Sequence, residues 1–366
     1  MSRSVVLPGA GAGATAPVEE TAGRLLPRLT SLRAIAALAV FVVHLEAHGV
    51  ASLPWGLSSV GGTGVAFFFV LSGFVLAWGT RPGLPARTFY RRRFARVYPS
   101  DLAALLVAMV VPVVSVNRDA GAAIANALML QAWATDNDVV YGMNGVSWSL
   151  SCEAFFYAIF PLAVVVVRRL PRSAAWTLVV LGLVAAVVAY QVSPDRADHL
   201  PPIRATEFVL GLVAGLYFRD GWRPRVPRAA VGGALALGVV LSVWLESPVA
   251  NVVMAVPFLL LVLHVAERDL AGRRGGFTSR AMVFAGEASF AFYLVHELVI
   301  VNLLPVLPDH AALQLLVISP VCVAAAVVLH LAVERPCNRL LRDRPGSLAL
   351  APVTGGTAPA VGAPRP

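Results

Sequence analysis

Residues 29–48 form an apolar stretch whose ionisable side chains include Arg33 and His44. They lie eleven residues apart, which at about 3.6 residues per helical turn places both on one face, roughly 16 Å apart along the axis. Histidine accepts protons near neutral pH without special tuning. The spacing therefore predicts that a general base, His44, lies on the same helix face as a cation, Arg33. The alternative is an arginine that reaches the headgroups and a histidine that only packs.

A second apolar stretch covers residues 146–167. Its side chains Ser149, Glu153 and Tyr157 lie four residues apart, so they follow one helical face. Trp148 precedes them at the expected membrane–water interface, where tryptophan is common. A buried carboxyl group needs a partner or takes up a proton. Glu153 is thus either part of a site or a neutral group bonded to a neighbouring helix.

A third apolar stretch, residues 281–304, carries Ser289, Tyr293 and His296 on one helical stripe. Its carboxylates are Glu287 and Glu297. A polar stripe that only packs between helices is the alternative interpretation. The other interpretation is a buried site built from histidines on two stretches and a glutamate on another. In such a site a histidine removes a proton from a substrate hydroxyl, and the carboxylate orients the imidazole. That chemistry predicts transfer of a group to oxygen.

The elements that position these residues are membrane spans. Hydrophobic residues make up 58% of the 366 residues and charged residues only 13%, whereas soluble domains carry about 25% charge. A soluble, disordered or disulfide-rich protein is therefore excluded. The sequence contains no helical metal-binding motif and no zinc spacing of its three cysteines, so we expect no metal site.

We expect an all-α, polytopic membrane protein with about ten transmembrane helices, each near the ~20 residues that a bilayer requires. The candidate spans are 29–48, 60–80, 97–116, 146–167, 174–192, 204–219, 229–246, 248–266, 281–304 and 311–333. The shorter segment 120–133 is predicted to be interfacial or re-entrant. Residues 1–23 and 345–366 are predicted disordered tails around a transmembrane domain of residues 24–344.

All 29 basic residues are arginine, and they cluster in short blocks between the apolar stretches. This pattern favours membrane orientation over nucleic-acid binding. With a cytoplasmic N-terminus, 23 arginines fall in cytoplasmic segments and only three in the opposite ones. The asymmetry predicts that both termini are cytoplasmic and that the lipid bilayer is a partner.

Several segments resemble the membrane-bound acyltransferase-3 family, the polytopic O-acyltransferases of bacterial cell-surface glycans and some macrolide-type natural products. They are SLRAIAALAVFVVH (31–44), GVAFFFVLSGFVL (64–76), FYRRRFARVYP (89–99), WSLSCEAFFYAIFPL (148–162), EASFAFYLVH (287–296) and VERP (333–336). The Arg-x10-His pair and the WSLSxE segment are specific when found together. Family members often have a second glutamate where this chain has Ala154, and a glycine in place of Ala34.

The resemblance implies a ten-helix bundle in the bacterial cytoplasmic membrane, with acyl-CoA as co-substrate and no permanently bound cofactor. The acceptor would be a hydroxyl of a sugar, a glycan or a glycosylated natural product. Carried over by motif, His44 is the base, and Arg33 and Glu153 are the other catalytic residues. No fused soluble domain is expected after the last span, which leaves glycan and small-molecule acceptors both open.

The densest arginine block, residues 91–96, is a candidate for binding the phosphates of the donor. Arg92 and Arg96 are four residues apart, so they share a helical face, and guanidinium groups bind phosphates through paired hydrogen bonds. The rival interpretation is a topology signal alone. The remaining predicted substrate-binding residues are Trp148, Ser149, Tyr293 and His296.

A secondary transporter or flippase would also have buried charges and many spans, but it commonly shows inverted repeats and broken helices. The two halves of this chain are not self-similar, and its first span has no interior proline or glycine. A membrane scaffold gives no reason for Arg33, His44 and Glu153 together. The sequence does not specify the acceptor, the acyl chain length, the membrane face of the product or the oligomeric state.

Overall fold

A computed structural model describes residues 25–52, 57–80, 83–111, 119–245, 247–273 and 275–342. These residues form helices joined by short connections, and no strand occurs among them. The all-α class is thus confirmed for the described part of the chain. The predicted tails, residues 1–23 and 345–366, lie outside it, as does the end of the third predicted span.

The helices of the first half are α1 (Pro27–Ala47), α2 (Leu57–Gly62), α3 (Gly64–Trp78), α4 (Ala86–Val110), α5 (Ala120–Ala127), α6 (Asn137–Val140) and α7 (Trp148–Arg169). Those of the second half are α8 (Arg172–Val192), α9 (Pro194–His199), α10 (Pro201–Arg219), α11 (Arg228–Trp244), α12 (Ser247–Leu270), α13 (Arg280–Leu303), α14 (Ala311–Leu329) and α15 (Arg335–Arg342). Short 3₁₀ turns occur at Gln131–Trp133, Gly276–Thr278 and Leu304–Val306, and a π-helical turn, His330–Glu334, joins α14 to α15.

Each of the ten predicted spans overlaps one of the long helices. Seven helical segments are long and apolar enough to cross a membrane by length and composition. They are Pro27–Ala47, Val60–Trp78, Trp148–Arg169, Arg172–Val192, Val249–Leu270, Arg280–Val306 and Ala311–Leu341. The other three predicted spans overlap α4, α10 and the 17-residue α11. The chain is a multi-pass membrane protein, while the count of ten and the orientation of the termini stay predictions. The predicted interfacial segment 120–133 forms only α5 and a 3₁₀ turn, both too short to cross a bilayer.

The centre of the bundle is the contact between α3 and α10, where glycines let two backbones approach closely. A Cβ atom added to Gly73 would lie 2.0 Å from the Phe208 carbonyl oxygen, and one added to Gly211 would lie 1.9 Å from the Val70 carbonyl oxygen. Small residues serve this purpose in membrane helix pairs, because the helices then gain contact area along their backbones.

We expect Gly211→Ala to destabilise the protein by about 1–3 kcal/mol or more, because the added methyl group meets backbone that cannot rotate away. The measurement is the thermal unfolding midpoint of the purified protein in detergent. Gly233→Ala is the matched control, since a Cβ atom there meets nothing within 4 Å on α11. Equal midpoints for the two variants would show that close α3–α10 contact does not limit stability.

Helix α1 begins against the end of α12. Its first turn has no side-chain cap of its own. Instead the Asp269 carboxylate accepts hydrogen bonds from the backbone N–H groups of Arg28, at 3.0 Å, and Leu29, at 3.4 Å. The Arg28 guanidinium forms an ion pair with the same carboxylate at 3.1 Å. A carboxylate at a helix N-terminus satisfies free N–H groups and interacts favourably with the helix dipole.

The side of α1 packs closely on α13. A Cβ atom on Gly286 would lie 2.0 Å from the Thr30 carbonyl oxygen, so no larger residue fits between the two backbones. This close contact and the Asp269 cap together fix the position of α1 along α13. The polar residues near the far ends of both helices are thereby brought into register.

Candidate active site

His44, near the end of α1, contacts two adjacent residues of α13. Its Nδ1 atom lies 2.8 Å from Oε2 of Glu297 and 3.1 Å from Nε2 of His296. One turn later, directly after the end of α1, Nε2 of His48 lies 2.9 Å from Oε1 of the same glutamate. A single carboxylate thus bridges two histidines at the end of α1, and a third histidine adjoins them.

The hydrogen bonds assign the proton positions of this cluster. Nδ1 of His296 faces the Phe292 carbonyl oxygen at 3.2 Å, and a carbonyl can only accept, so this nitrogen carries the proton. Nε2 of His296 is then an acceptor. Nδ1 of His44 therefore faces two acceptors and must be the protonated nitrogen. Its Nε2 keeps a lone pair and forms no hydrogen bond with another described residue, so the imidazole has the tautomer that a general base requires.

His44 lines a pocket of about 170 Å³. Tyr141, Trp148, Asp198 and Asn251 line the same pocket, and the Asn251 side chain donates a hydrogen bond to Asp198 at 3.2 Å. Burial, together with the negative charge of Asp198, raises the pKa of Tyr141 to about 12. Its hydroxyl therefore stays protonated at physiological pH and can donate a hydrogen bond. The pocket combines donors, acceptors and aromatic surface around one imidazole.

A buried arginine supports the Trp148 side of this pocket. The Arg204 guanidinium lies 5.8 Å from the centre of the Trp148 ring and 5.2 Å from that of Phe69. Its charge is balanced by Glu207 at 3.3 Å, and Asp198 lies 3.9 Å away. Arg204 itself lines the pocket beside Trp148, so it can orient the indole ring there.

A much larger cavity, about 890 Å³, opens where α1 begins. Four arginines from α1 and α4 line it: Arg33, Arg92, Arg93 and Arg96. Ser149, Glu153 and Tyr157, the stripe predicted on α7, line it as well. The neighbouring Arg91 is not part of the lining. The structure thus brings Arg33 together with two of the arginines predicted for the donor, although α1 and α4 are far apart in sequence.

Glu153 lies in this cavity rather than beside His44. It accepts hydrogen bonds from the Tyr157 hydroxyl and from Oγ of Ser72, the latter at 3.4 Å. No hydrogen bond joins Glu153 to His44 among the described residues. The carboxylate that contacts the predicted base is instead Glu297.

Arg96 is held by a second buried cluster. Its guanidinium is hydrogen-bonded to Glu334, whose other oxygen accepts from Nδ1 of His330 at 2.8 Å. Both partners belong to the π-helical turn between α14 and α15, a type of irregularity that often occurs at functional sites. The turn therefore positions one of the cavity arginines.

The large cavity and the His44 pocket meet at Tyr293 and Val65, which line both. The Tyr293 hydroxyl lies 2.8 Å from Oγ of Ser149 and donates to the Val146 carbonyl oxygen at 3.1 Å. Of the predicted site residues, Trp148 lines the pocket with His44, and His296 lies behind His44. A basic cavity and a base thus share one wall.

Sequence reasoning did not assign Glu297 a partner. A signal was present, because Glu297 follows Tyr293 by four residues and so lies on the same stripe of α13. The sequence also predicted no metal site. The donor atoms of His44, His296 and Glu297, however, lie within 4.8 Å of one another, which would suit a metal ion. These ligands come from two helices, so spacing within one segment could not reveal them.

A family model described as an acyltransferase domain matches residues 26–331. The acyltransferase MdmB of Streptomyces mycarofaciens is 36% identical over 90% of this chain and 96% of its own length. The putative peptidoglycan O-acetyltransferase YrhL of Bacillus subtilis is 29% identical over 53% of this chain and 33% of its own. The O-acetyltransferase OatA of Staphylococcus aureus is 28% identical over 44% and 29%, respectively. No solved structure matches the chain.

Proposed function

We propose, because the chain belongs to the membrane-bound acyltransferase-3 family, that it is an O-acyltransferase of the bacterial cytoplasmic membrane. The donor is acyl-CoA, and the acceptor is a hydroxyl of a sugar, a glycan or a glycosylated natural product. The observation that carries this proposal is the shared wall at Tyr293 between an arginine-lined cavity and the pocket of His44. O-acetyltransferases among the relatives support transfer to oxygen.

The large cavity suits the donor. Its volume of about 890 Å³ lies within the range of sites that hold cofactor-sized ligands, about 300–1,000 Å³. Acyl-CoA carries a pyrophosphate and a 3′-phosphate, and guanidinium groups bind phosphate through paired, charge-assisted hydrogen bonds. The predicted orientation places the arginine block on the cytoplasmic side, where acyl-CoA is made. Arg33 and Glu153 line the same cavity, so we assign them to the donor side.

The small pocket suits the acceptor. At about 170 Å³ it admits one ring or a short branch of a larger molecule. Tyr141 and Asn251 supply hydrogen-bond donors, Asp198 an acceptor and Trp148 an aromatic face. Groups of this kind orient a ligand that carries several hydroxyls.

In the reaction, Nε2 of His44 takes the proton of the acceptor hydroxyl while that oxygen attacks the carbonyl carbon of the thioester. The C–S bond then breaks, and the thiolate of CoA takes the proton back from His44. The products are an ester and the free thiol, and the histidine returns to its starting state. Glu297 holds the imidazole in its tautomer and stabilises the imidazolium cation that forms between the two steps.

The test uses the purified protein in lipid nanodiscs with radiolabelled acetyl-CoA and a panel of glycosides. We expect an acceptor-dependent, alkali-labile labelled ester. The same protein in sealed vesicles is assayed for movement of each glycoside. Movement of unchanged glycoside without ester formation would contradict the proposal and indicate a transporter.

We expect Arg92→Ala and Arg96→Ala each to raise the KM for acyl-CoA several-fold and to leave the acceptor KM unchanged. Both side chains line the large cavity. Loss of one charge-assisted hydrogen bond to the donor weakens its binding free energy by up to about 3 kcal/mol. Arg91→Ala is the matched control, because Arg91 belongs to the same arginine block but not to the lining. Steady-state kinetics with varied acyl-CoA make the comparison. A topology signal alone predicts the same donor KM for all three variants.

A further inference from the structure

We propose that His44, His296 and Glu297 form a Zn²⁺ site, and that zinc bound there stops acyl transfer. The three residues offer two imidazole nitrogens and a carboxylate oxygen, and these atoms lie within 4.8 Å of one another. Two histidines and one glutamate are a ligand set that proteins use for zinc, with a fourth position left for water.

The spacing of the donor atoms fits a tetrahedral ion. Zn–N and Zn–O distances of about 2.0–2.2 Å place neighbouring ligand atoms roughly 3.3 Å apart. Nδ1 of His44 is 2.8 Å from the Glu297 oxygen and 3.1 Å from Nε2 of His296. These two distances would have to open by only a few tenths of an ångström, and the third pair of donor atoms, on His296 and Glu297, lies within 4.8 Å.

The groups around the cluster are those that orient zinc ligands. Histidine ligands usually donate their second ring N–H to a carbonyl or carboxylate, and His296 directs Nδ1 at the Phe292 carbonyl oxygen. His48 holds the second oxygen of Glu297 at 2.9 Å, which fixes the carboxylate. His296 is fully buried, and its ring lies 6.1 Å from that of Phe41. The ligands are thus held in place before any ion binds.

Zinc at this site excludes base catalysis. An ion on Nδ1 of His44 binds the lone pair of that nitrogen, so the single ring proton of the neutral imidazole moves from Nδ1 to Nε2. That is the atom which takes the acceptor proton, so the zinc form has no lone pair for it. This inhibitory half of the inference rests on the proposed function, whereas zinc binding does not.

A specific zinc site is expected to bind Zn²⁺ in preference to Mg²⁺, whereas non-specific cation binding would not distinguish them. Imidazole ligands favour zinc, whereas Mg²⁺ prefers oxygen ligands and keeps most of its waters. We therefore expect Mg²⁺ at millimolar concentration to leave zinc binding unchanged.

The experiment titrates the full-length, chelator-treated protein in nanodiscs with ZnCl₂ and follows binding by calorimetry. Elemental analysis after gel filtration gives the stoichiometry. We expect one zinc ion per chain that Mg²⁺ does not displace, and a zinc affinity at least about tenfold lower for His296→Gln. Glu297→Gln provides a second variant if His296→Gln does not elute as folded protein. The control is His310→Gln, which removes an exposed imidazole that could bind zinc adventitiously.

In parallel, zinc should abolish acetyl transfer by the wild type, and EDTA should restore it. Three results would overturn the inference: no bound zinc, equal affinity in both cluster variants, or bound zinc that leaves the transfer rate unchanged or raises it. Because binding is measured directly, a protein without transferase activity would still test the site, and the two proposals fail separately.

Discussion

Replacing His44 with alanine is expected to lower kcat for acyl transfer by about 10²–10⁴-fold, the usual contribution of a general base. The imidazole lines the acceptor pocket, and its Nε2 is the nitrogen with a free lone pair. The KM for acyl-CoA should change little, because His44 is not part of the donor cavity lining. Steady-state kinetics on equal amounts of folded, nanodisc-reconstituted protein make the measurement.

His310→Ala serves as the control for this variant, since His310 is exposed and lies in neither cavity lining. It should keep the wild-type kcat. Near wild-type turnover of His44→Ala would contradict the assignment and would move the base to His296.

Glu297→Gln is expected to lower kcat by at least about 10²-fold while the protein still inserts and folds. The amide can donate an N–H to Nδ1 of His44, which shifts the ring proton to Nε2 and yields the wrong tautomer. The variant also removes the negative charge that stabilises the imidazolium. The measurement is kcat at saturating donor and acceptor.

Glu287→Gln is the matched control on the same helix. Glu287 pairs with Arg335 at 2.9 Å on a half-exposed surface, and such ion pairs contribute little to stability. Its kcat should stay near wild type. A loss of similar size in both variants would show that the effect comes from α13 in general and not from the contact with His44.

Helical periodicity made much of the site predictable. Ser149, Glu153 and Tyr157 were predicted to share a face, and all three line the large cavity. The ion pair of Arg204 and Glu207, three residues apart on α10, follows the same periodicity, with a distance of 3.3 Å. These predictions need only the geometry of one helix, which places residues three or four apart on the same face.

Partners across helices could not be predicted in this way. Glu153 and Glu297 each lie on a polar stripe, and nothing within one helix says which stripe faces His44. The close approach of α1 and α13 at Gly286 decides it, through contacts between residues far apart in the sequence. The acceptor pocket is harder still, because Tyr141, Asp198 and Asn251 come from three separate elements.

Helix α4 extends beyond the start of the third predicted span. That span was predicted to begin at residue 97, whereas α4 begins at Ala86 and includes the arginine block. The polar half of this helix has protein partners, as Arg96 has in Glu334. A hydropathy window registers only the apolar half.

The Asp269 cap and the Glu297 contact also determine when, during synthesis of the chain, α1 and His44 acquire their partners. His44 and Glu297 are separated by 253 residues. Ribosomes add about 5–20 residues per second, so roughly 13–50 s pass between the synthesis of the two. For most of this interval the nascent chain contains α1, while neither its cap, Asp269, nor the partner of its histidine, Glu297, has been made. The helix that carries His44 is thus among the first made and the last completed, and a ribosome that stalls before α13 releases a chain whose His44 lacks both partners.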